Sequence, residues 1–133
     1  MAKLTPYFYS ENAREQAAFY VSALGGEIQQ QMTYGDAPGT DESMKDKIIH
    51  MVFTAAGVTF YIADTMNHSR GMTSGLDLCL EFATDEEAQA AFAKLSSGGT
   101  VMMPLERQFW GSLFGRIQDK FGIQWQITTV AQS

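Results

Sequence analysis

Few side chains in this 133-residue chain could do chemistry by themselves. The two histidines are His50, in an apolar run, and His68, in a polar stretch where we expect it to be solvated. His50 could be a metal ligand or a hydrogen-bonded structural residue. A nucleophilic cysteine needs a nearby base and a lowered pKa. Cys79 instead lies between two leucines, a place typical of a small buried residue. No Ser-His-Asp arrangement and no phosphate-binding loop is present.

The two tryptophans are expected to play different roles. Trp125 lies on the apolar face of a predicted strand and is expected in the core. Trp110 lies between Phe109 and Gly111 in a turn-rich segment, where a tryptophan is less often part of the core. We expect this aromatic corner, residues 109–111, either to cover one end of a binding cleft or to contact a second subunit.

Bulk composition excludes several classes of function. The hydrophobic content is 45% and the charged content 18%, both typical of one globular domain. A net charge of −6 argues against nucleic-acid binding, which depends on clustered Lys and Arg. No apolar run approaches the ~20 residues of a membrane span. One cysteine cannot form an internal disulfide, which favours a cytoplasmic location.

Apolar periodicity predicts the elements that must position these residues. Helices are expected at residues 13–24 and from Thr84 or Asp85 to a glycine pair at 98–99. Strands are expected at residues 4–9, 27–34, 48–54, 58–64, 75–82, 100–105, 116–119 and 122–128.

The two halves of the chain repeat each other. Two pairs of segments match with equal spacing: Ala17-Ala18-Phe19 before Gly25-Gly26 with Ala90-Ala91-Phe92 before Gly98-Gly99, and Gly57–Ile62 with Gly122–Ile127. We therefore predict a single α+β domain over residues 1–133. It would be built from two βαβββ modules, at about 3–64 and 75–129, joined by a polar linker at 65–74. One helix would cover one face of each sheet, and pairing the sheets would leave a concave cleft for a ligand.

This repeat resembles the vicinal-oxygen-chelate superfamily, which includes glyoxalase I, extradiol dioxygenases and bleomycin-resistance proteins. The segments LTPYFYS, NARE, LGGE, IIHM, GGTVMMPLE, FWG and FGIQW are similar to its PhnB-like branch, over essentially the whole chain. The resemblance implies paired curved mixed sheets with helices on their outer faces, and a homodimer. Members of this branch are often labelled by similarity to a ubiquinone-pathway methyltransferase, but nothing in this sequence resembles a cofactor-binding fold for methyl transfer.

In metal-using members of the superfamily, side chains from both modules converge on a divalent ion. Carrying those positions over gives Thr5, His50, Asp77 and Gln126, and strand alternation places all four opposite their apolar neighbours. Uncertainty in the register of the fifth strand leaves Cys79 as an alternative to Asp77.

This chain departs from the metal-binding pattern at two positions. Thr5 and Gln126 are weak neutral ligands where glyoxalase-like enzymes use His and Glu. His50 and Asp77 alone fall short of the three protein ligands of a catalytic site. We therefore expect no catalytic metal and no other cofactor; a metal, if bound, would be held by His50, Asp77 and Glu81.

The expected function is metal-free binding of a small molecule, such as an aromatic one, in the cleft. The stacking surfaces would come from Tyr7, Tyr9, Tyr61 and Trp110, and the polar contacts from Thr5, His50, Asp77 and Gln126. Two alternatives stay open. One is a divalent-metal-dependent lyase, isomerase or dioxygenase acting on a substrate with vicinal oxygens. The other is a cleft that serves only oligomer stability.

Overall fold

The computed structural model describes residues 2–37, 39, 41–65 and 75–130. His68 and nearly all of the predicted linker at 65–74 lie outside the described residues. The chain divides into two compact units, residues 1–70 and 71–133. That these units are modules of one domain stays a prediction. No helix in the described part of the chain is long and apolar enough to cross a membrane.

The first unit is a four-stranded mixed sheet with one α-helix. Its elements are β1 (Tyr7–Ser10), α1 (Ala13–Leu24), β2 (Gly26–Thr33), β3 (Ile48–Ala55) and β4 (Val58–Asp64). The strand order is β1-β4-β3-β2. β1 runs parallel to β4, and the other neighbours are antiparallel. Two short 3-10 turns, Tyr34–Asp36 and Glu42–Met44, lie in the predicted loop between β2 and β3.

The second unit repeats this topology. Its elements are β5 (Leu78–Phe82), α2 (Asp85–Leu95), β6 (Thr100–Arg107), β7 (Leu113–Gln118) and β8 (Gln124–Thr129). The strand order is β5-β8-β7-β6, with β5 parallel to β8. Both units read strand, helix, strand, strand, strand, so the predicted α+β fold class and the βαβββ repeat are confirmed.

The two glycine pairs have the same geometry in both units. Gly25 and Gly98 have φ values of 79° and 76°, in the left-handed region that favours glycine. A Cβ added to Gly26 would lie 1.8 Å from a carbonyl oxygen of β3, and one added to Gly99 would lie 2.2 Å from a carbonyl oxygen of β7. The first glycine of each pair makes the turn, and the second lets two strands approach closely.

The helices do not follow the register that the sequence match suggested. α1 ends at Leu24, directly before its glycine pair, whereas α2 ends at Leu95 and two serines precede Gly98. Ala17 is buried, while Ala90, its match in the sequence repeat, is exposed. Ala88 and Ala91 form the buried face of α2 instead. The identical spacing of the two Ala-Ala-Phe segments is therefore not a structural equivalence.

Each unit has its own apolar core. In the first, the rings of Phe8, Tyr20, Phe53 and Phe60 pack with centroid distances of 5.3–6.1 Å. In the second, Trp125 is fully buried on β8, as predicted. Because side chains alternate between the faces of a strand, burial of Trp125 puts Gln124 and Gln126 on the opposite face.

A buried carboxylate holds the hairpin that carries Trp125. Asp119 is 3% exposed and accepts three hydrogen bonds. Its Oδ1 accepts from the backbone N–H groups of Phe121 (2.9 Å) and Ile123 (3.0 Å), and its Oδ2 accepts from Trp125 Nε1 (2.8 Å). Gly122 has a φ of 90°, which supplies the left-handed residue of the turn. The FGIQW segment is thus explained by turn geometry and core anchoring.

Several strands begin elsewhere than predicted. β1 begins at Tyr7 and not at residue 4, because Pro6 has no N–H to donate, and Leu4 is 89% exposed. β5 begins at Leu78, so the register expected for Leu76 on an apolar face is wrong: its side chain is 61% exposed. Cys79 is exposed, contrary to the prediction, because it lies on the opposite face of β5 from the buried Leu80.

Candidate functional site

Three tyrosines and a histidine form an aromatic cluster on one face of the first sheet. β1 alternates exposed and buried residues, so Tyr7 and Tyr9 lie on the face opposite the buried Phe8. Tyr7 is paired with Tyr61 in the parallel register of β1 and β4. The ring centroid of Tyr7 lies 5.1 Å from that of Tyr9, in a stacked arrangement, and 5.9 Å from that of Tyr61, in an edge-to-face arrangement. We call Tyr7, Tyr9, His50 and Tyr61 the aromatic cluster.

His50 joins the aromatic cluster from β3. Its ring centroid lies 4.9 Å from that of Tyr61 and 5.5 Å from that of Tyr7. The Tyr7 hydroxyl lies 3.0 Å from His50 Nδ1. Burial, followed by the neighbouring Tyr9 and Tyr34, raises the pKa of Tyr7, so its hydroxyl keeps its proton at neutral pH. When that hydroxyl donates to Nδ1 of a neutral imidazole, the ring proton lies on Nε2.

The aromatic cluster leaves much of its ring surface in contact with solvent. Tyr7 is 41% exposed and Tyr9 is 63% exposed. A ring that is held in place by its neighbours and still exposed offers a stacking surface at little cost in conformational entropy. The cluster can therefore stack a planar group and offer it hydroxyl and imidazole hydrogen bonds.

A separate polar network lies on the solvent face of the second sheet. Asp77 accepts two hydrogen bonds from Arg116, from Nε to Oδ2 at 2.7 Å and from Nη2 to Oδ1 at 3.2 Å. Gln126 Nε2 donates to Asp77 Oδ2 at 3.2 Å. The hydrogen bonds from Arg116 hold the pKa of Asp77 below its usual value, against the opposing effect of burial, and Gln126 adds to the lowering. In return, Asp77 raises the pKa of Arg116.

Arg116 is the residue of this network that sequence reasoning missed. Its position on β7 alternates with buried neighbours, which places it on the solvent face, and it pairs directly with Gln126 on β8. That alternation was the available signal. An open depression of about 530 Å³ lies beside the network and is lined by Gly75, Leu76, Asp77, Arg116, Gln124 and Gln126.

Three other predicted site residues lie outside these two groups. Thr5 is half-buried and precedes β1. Glu81 is exposed on β5, on the same face as Cys79. Trp110 lies in the turn between β6 and β7 and is 47% exposed, with its ring centroid 4.9 Å from Phe109 and 6.4 Å from Phe114.

The aromatic corner is held to its hairpin by an arginine. Arg107 Nη1 donates to the carbonyl oxygen of Gly111 at 2.8 Å, and its Nη2 is paired with Asp85 at the start of α2. Phe109 is 97% exposed. The corner is thus an exposed, anchored turn of the second unit.

The residues that would hold a metal are divided between the two units, with His50 in the first and Asp77 and Glu81 in the second. Within the described residues, no group of three or more His, Cys, Asp or Glu side chains is placed to hold a metal ion. Both carboxylate oxygens of Asp77 already accept hydrogen bonds from Arg116. Within either unit, the described His, Cys, Asp and Glu side chains therefore fall short of the three protein ligands of a catalytic metal.

Comparison with known proteins identifies the family. The model of the family described as 3-demethylubiquinone-9 3-methyltransferase matches residues 2–128. The chain belongs to this family. A PhnB protein from Bacillus cereus is 32% identical, covers 97% of this chain and all of its own (100%), and superposes with a TM-score of 0.79. The sequence-based assignment to the PhnB-like branch of the vicinal-oxygen-chelate superfamily is confirmed.

Two further proteins are similar to this PhnB-like protein over nearly the full length of both chains. Protein PA1353 from Pseudomonas aeruginosa is 29% identical, with 97% of this chain and 98% of that chain covered and a TM-score of 0.81. Protein YjdN from Escherichia coli is 28% identical over 141 residues, which cover 97% of this chain and 96% of that protein.

Proposed function

We propose that this PhnB-like protein binds a small planar molecule through the aromatic cluster and does so without a catalytic metal. The observation that carries the proposal is the cluster itself: adjacent strands present Tyr7, Tyr9, Tyr61 and His50 on one solvent-accessible face. The solvent face of a sheet ordinarily carries polar side chains. Grouped, exposed aromatic rings are typical of a ligand or partner surface.

Stacking and hydrogen bonding are the chemistry that this cluster offers. Each ring that stacks on a planar ligand contributes about 0.5–1.5 kcal/mol beyond the burial of its area. The Tyr7–His50 hydrogen bond limits the motion of both rings and leaves His50 Nε2 available to a ligand acceptor. Methyl transfer, which the family description names, is not part of the proposal, because stacking and hydrogen bonding do not require it.

The metal-free part of the proposal is supported by the bonds that the ligand candidates already make. A metal at Asp77 would displace the two charge-assisted hydrogen bonds from Arg116 and would bring two positive charges together. At the position where glyoxalase-like enzymes use a glutamate, this chain also has the neutral Gln126.

A titration with matched planar and saturated probes tests the binding proposal. We expect 1-naphthol to bind saturably, measured by calorimetry, and decahydro-1-naphthol to bind at least about tenfold more weakly, since tenfold corresponds to about 1.4 kcal/mol. Tyr9→Leu and Tyr61→Leu should each weaken 1-naphthol binding several-fold. Phe121→Leu removes an aromatic ring of the second unit and serves as the matched control. Equal affinity for both probes, or no effect of either tyrosine substitution, would contradict the proposal.

The predicted participation of Trp110 is tested in the same titration. If the aromatic corner contributes to the ligand site, Trp110→Ala should weaken 1-naphthol binding. Unchanged affinity in Trp110→Ala would exclude the corner from the site and favour its use as a subunit contact.

Metal analysis tests the metal-free part separately. We expect the purified protein to contain no stoichiometric metal, and its melting temperature to be unchanged by Ni²⁺, Zn²⁺, Mn²⁺ or Co²⁺ before and after chelation. A tightly bound metal that is lost in His50→Ala would overturn this part and favour a metal-dependent enzyme.

The proposal also includes a homodimer in the cytoplasm. One edge strand of each sheet supports self-association, because β2 exposes Ile28 and Met32 and β6 exposes Val101, Met102 and Met103. Exposed apolar residues on sheet edges are typical of surfaces that become covered on assembly. Analytical ultracentrifugation should give twice the 14.7 kDa chain mass. A monomer at micromolar concentration would contradict the assembly.

A further inference from the structure

The guanidinium of Arg116 is bound on only one of its edges. The N–H of Nε and one N–H of Nη2 form the side edge of this planar group, and both donate to Asp77. The end edge consists of one N–H from Nη1 and one from Nη2, which point in parallel. Among the described residues, the Nη1 group of Arg116 has no hydrogen-bond partner. The side edge of the guanidinium is therefore bound to Asp77, and no described residue binds the end edge.

Asp77 and Gln126 hold Arg116 in a defined position. The Asp77 side chain is 10% exposed, Gln126 donates to the same carboxylate, and Arg116 remains 30% exposed. A guanidinium that is braced on its side edge loses little conformational entropy when a ligand binds its end edge. Arg116 is thus both fixed and accessible.

The surroundings of Arg116 add hydrogen-bonding groups without adding charge. The open depression is lined by Arg116, Gln124 and Gln126 among others. Gln124 makes no side-chain hydrogen bond to any described residue and can donate through its amide. The charge of Asp77 is offset by Arg116, so an incoming anion meets a neutral pair and not a free carboxylate.

We propose that this depression binds a small carboxylate. The end edge of Arg116 would donate two parallel hydrogen bonds to the two carboxylate oxygens, and the amide of Gln124 would donate a third. Two parallel N–H groups match the planar spacing of a carboxylate. Because the chain carries a net charge of −6, a carboxylate is repelled at long range, and the local geometry must supply both the affinity and the selectivity. All residues that this proposal uses belong to the second unit.

Acetate is the probe that tests this site, since it has a carboxylate and no ring. The wild-type protein is titrated at constant ionic strength against chloride, with the Arg116 Nε–H signal and the side-chain amide signals of Gln124 and Gln126 followed by NMR. We expect saturable shifts with a Kd on the order of 1–10 mM, within the affinity that so small a ligand can reach. Chloride alone should produce no saturable shift.

Two substitutions decide whether the fork geometry is responsible. Arg116→Lys keeps the charge and can keep an ion pair with Asp77 but loses the fork, and it should weaken acetate binding at least about tenfold. Gln124→Leu leaves the Arg116–Asp77 pair in place and should weaken binding a few-fold, which keeps the test valid if Arg116→Lys does not fold. Lys94→Gln removes one positive charge from another part of the second unit. It should leave acetate binding unchanged, which controls for an effect of net charge.

The outcomes are distinct from those of the ring-binding test. No saturation by acetate, an equal response to chloride, or equal affinity in wild type and a folded Arg116→Lys protein would each overturn the carboxylate site. None of these results bears on 1-naphthol binding. A failure of 1-naphthol to bind would likewise leave the acetate result standing.

Discussion

Replacing Asp119 with asparagine removes one well-defined interaction from the second core. The substitution preserves the size of a side chain that is 3% exposed. One oxygen can still accept from the backbone N–H groups of Phe121 and Ile123. The other oxygen becomes an NH₂ group, which cannot accept from the indole N–H of Trp125, now 2.8 Å from that position.

The expected cost follows from the type of bond lost. A hydrogen bond to a charged group contributes about 1.5–3 kcal/mol, and leaving a buried donor unsatisfied costs a similar amount. We take about 2 kcal/mol for Asp119→Asn. At about 2.1 cal/mol/K per residue, the entropy of unfolding of 133 residues is about 0.28 kcal/mol/K, so the melting temperature should fall by about 7 °C.

A double-mutant cycle with Trp125→Phe isolates the contribution of the indole bond. The free energy of unfolding is measured by urea denaturation, followed by far-UV circular dichroism, for both single variants and the double variant. In the Trp125→Phe background there is no indole donor, so Asp119→Asn should cost about half as much or less. The coupling free energy should be about 1–2 kcal/mol. If Asp119→Asn costs the same in both backgrounds, the indole bond does not anchor the hairpin and our account of the FGIQW segment is wrong.

Three further predictions concern the sites and the repeat. Because Arg116 holds the pKa of Asp77 below its usual value, the ionised carboxylate stabilises the fold above the unfolded pKa of about 3.9, and this contribution is lost as the pH falls through the lower folded pKa. The melting temperature of wild type should therefore approach that of Asp77→Asn as the pH falls from about 5 to below 3, and parallel curves would argue against the ion pair. Gly99→Ala should lower the free energy of unfolding by about 1–3 kcal/mol, since the new Cβ would lie 2.2 Å from a backbone oxygen of β7, and a neutral result in urea denaturation would contradict that close approach. Tyr7→Phe should change the stability by no more than about 0.5 kcal/mol, because its hydroxyl is near the surface, yet it should shift the NMR signals of the His50 ring.

The repeat could be predicted from the sequence because its signals are local. A glycine pair that makes a turn and allows a close strand approach has the same requirement in both units, and the Gly57–Ile62 and Gly122–Ile127 segments bury matching residues. The helix register could not be predicted in this way. Burial on a helix depends on which of its faces packs against the sheet. That face differs between α1 and α2, although the two Ala-Ala-Phe segments have the same spacing from their glycine pairs.

The positions of the aromatic cluster were also accessible from sequence. Sequence reasoning predicted Tyr7, Tyr9 and Tyr61 as stacking surfaces of one cleft, and the structure places these three rings beside His50. The predicted burial of Cys79 was wrong for a related reason. Its leucine neighbours indicated an apolar strand, but β5 has one buried face, and alternation puts Cys79 on the other.

The sequence by itself determined the repeat, the family and, for polar residues within strands such as Gln126, the face of the sheet on which the side chain lies, because alternation and turn chemistry act within a few residues. Only the tertiary structure decided which of those side chains meet. Asp77 and Arg116 are 39 positions apart, and they pair because β5 and β7 both flank β8, on which Gln126 lies between them. That pairing makes Asp77 and Gln126, which were predicted as polar contacts for a ligand, the groups that hold an arginine in place. The reason is physical: strand order and register are set by the packing of the whole sheet, and no local pattern in the chain encodes the partner of Arg116.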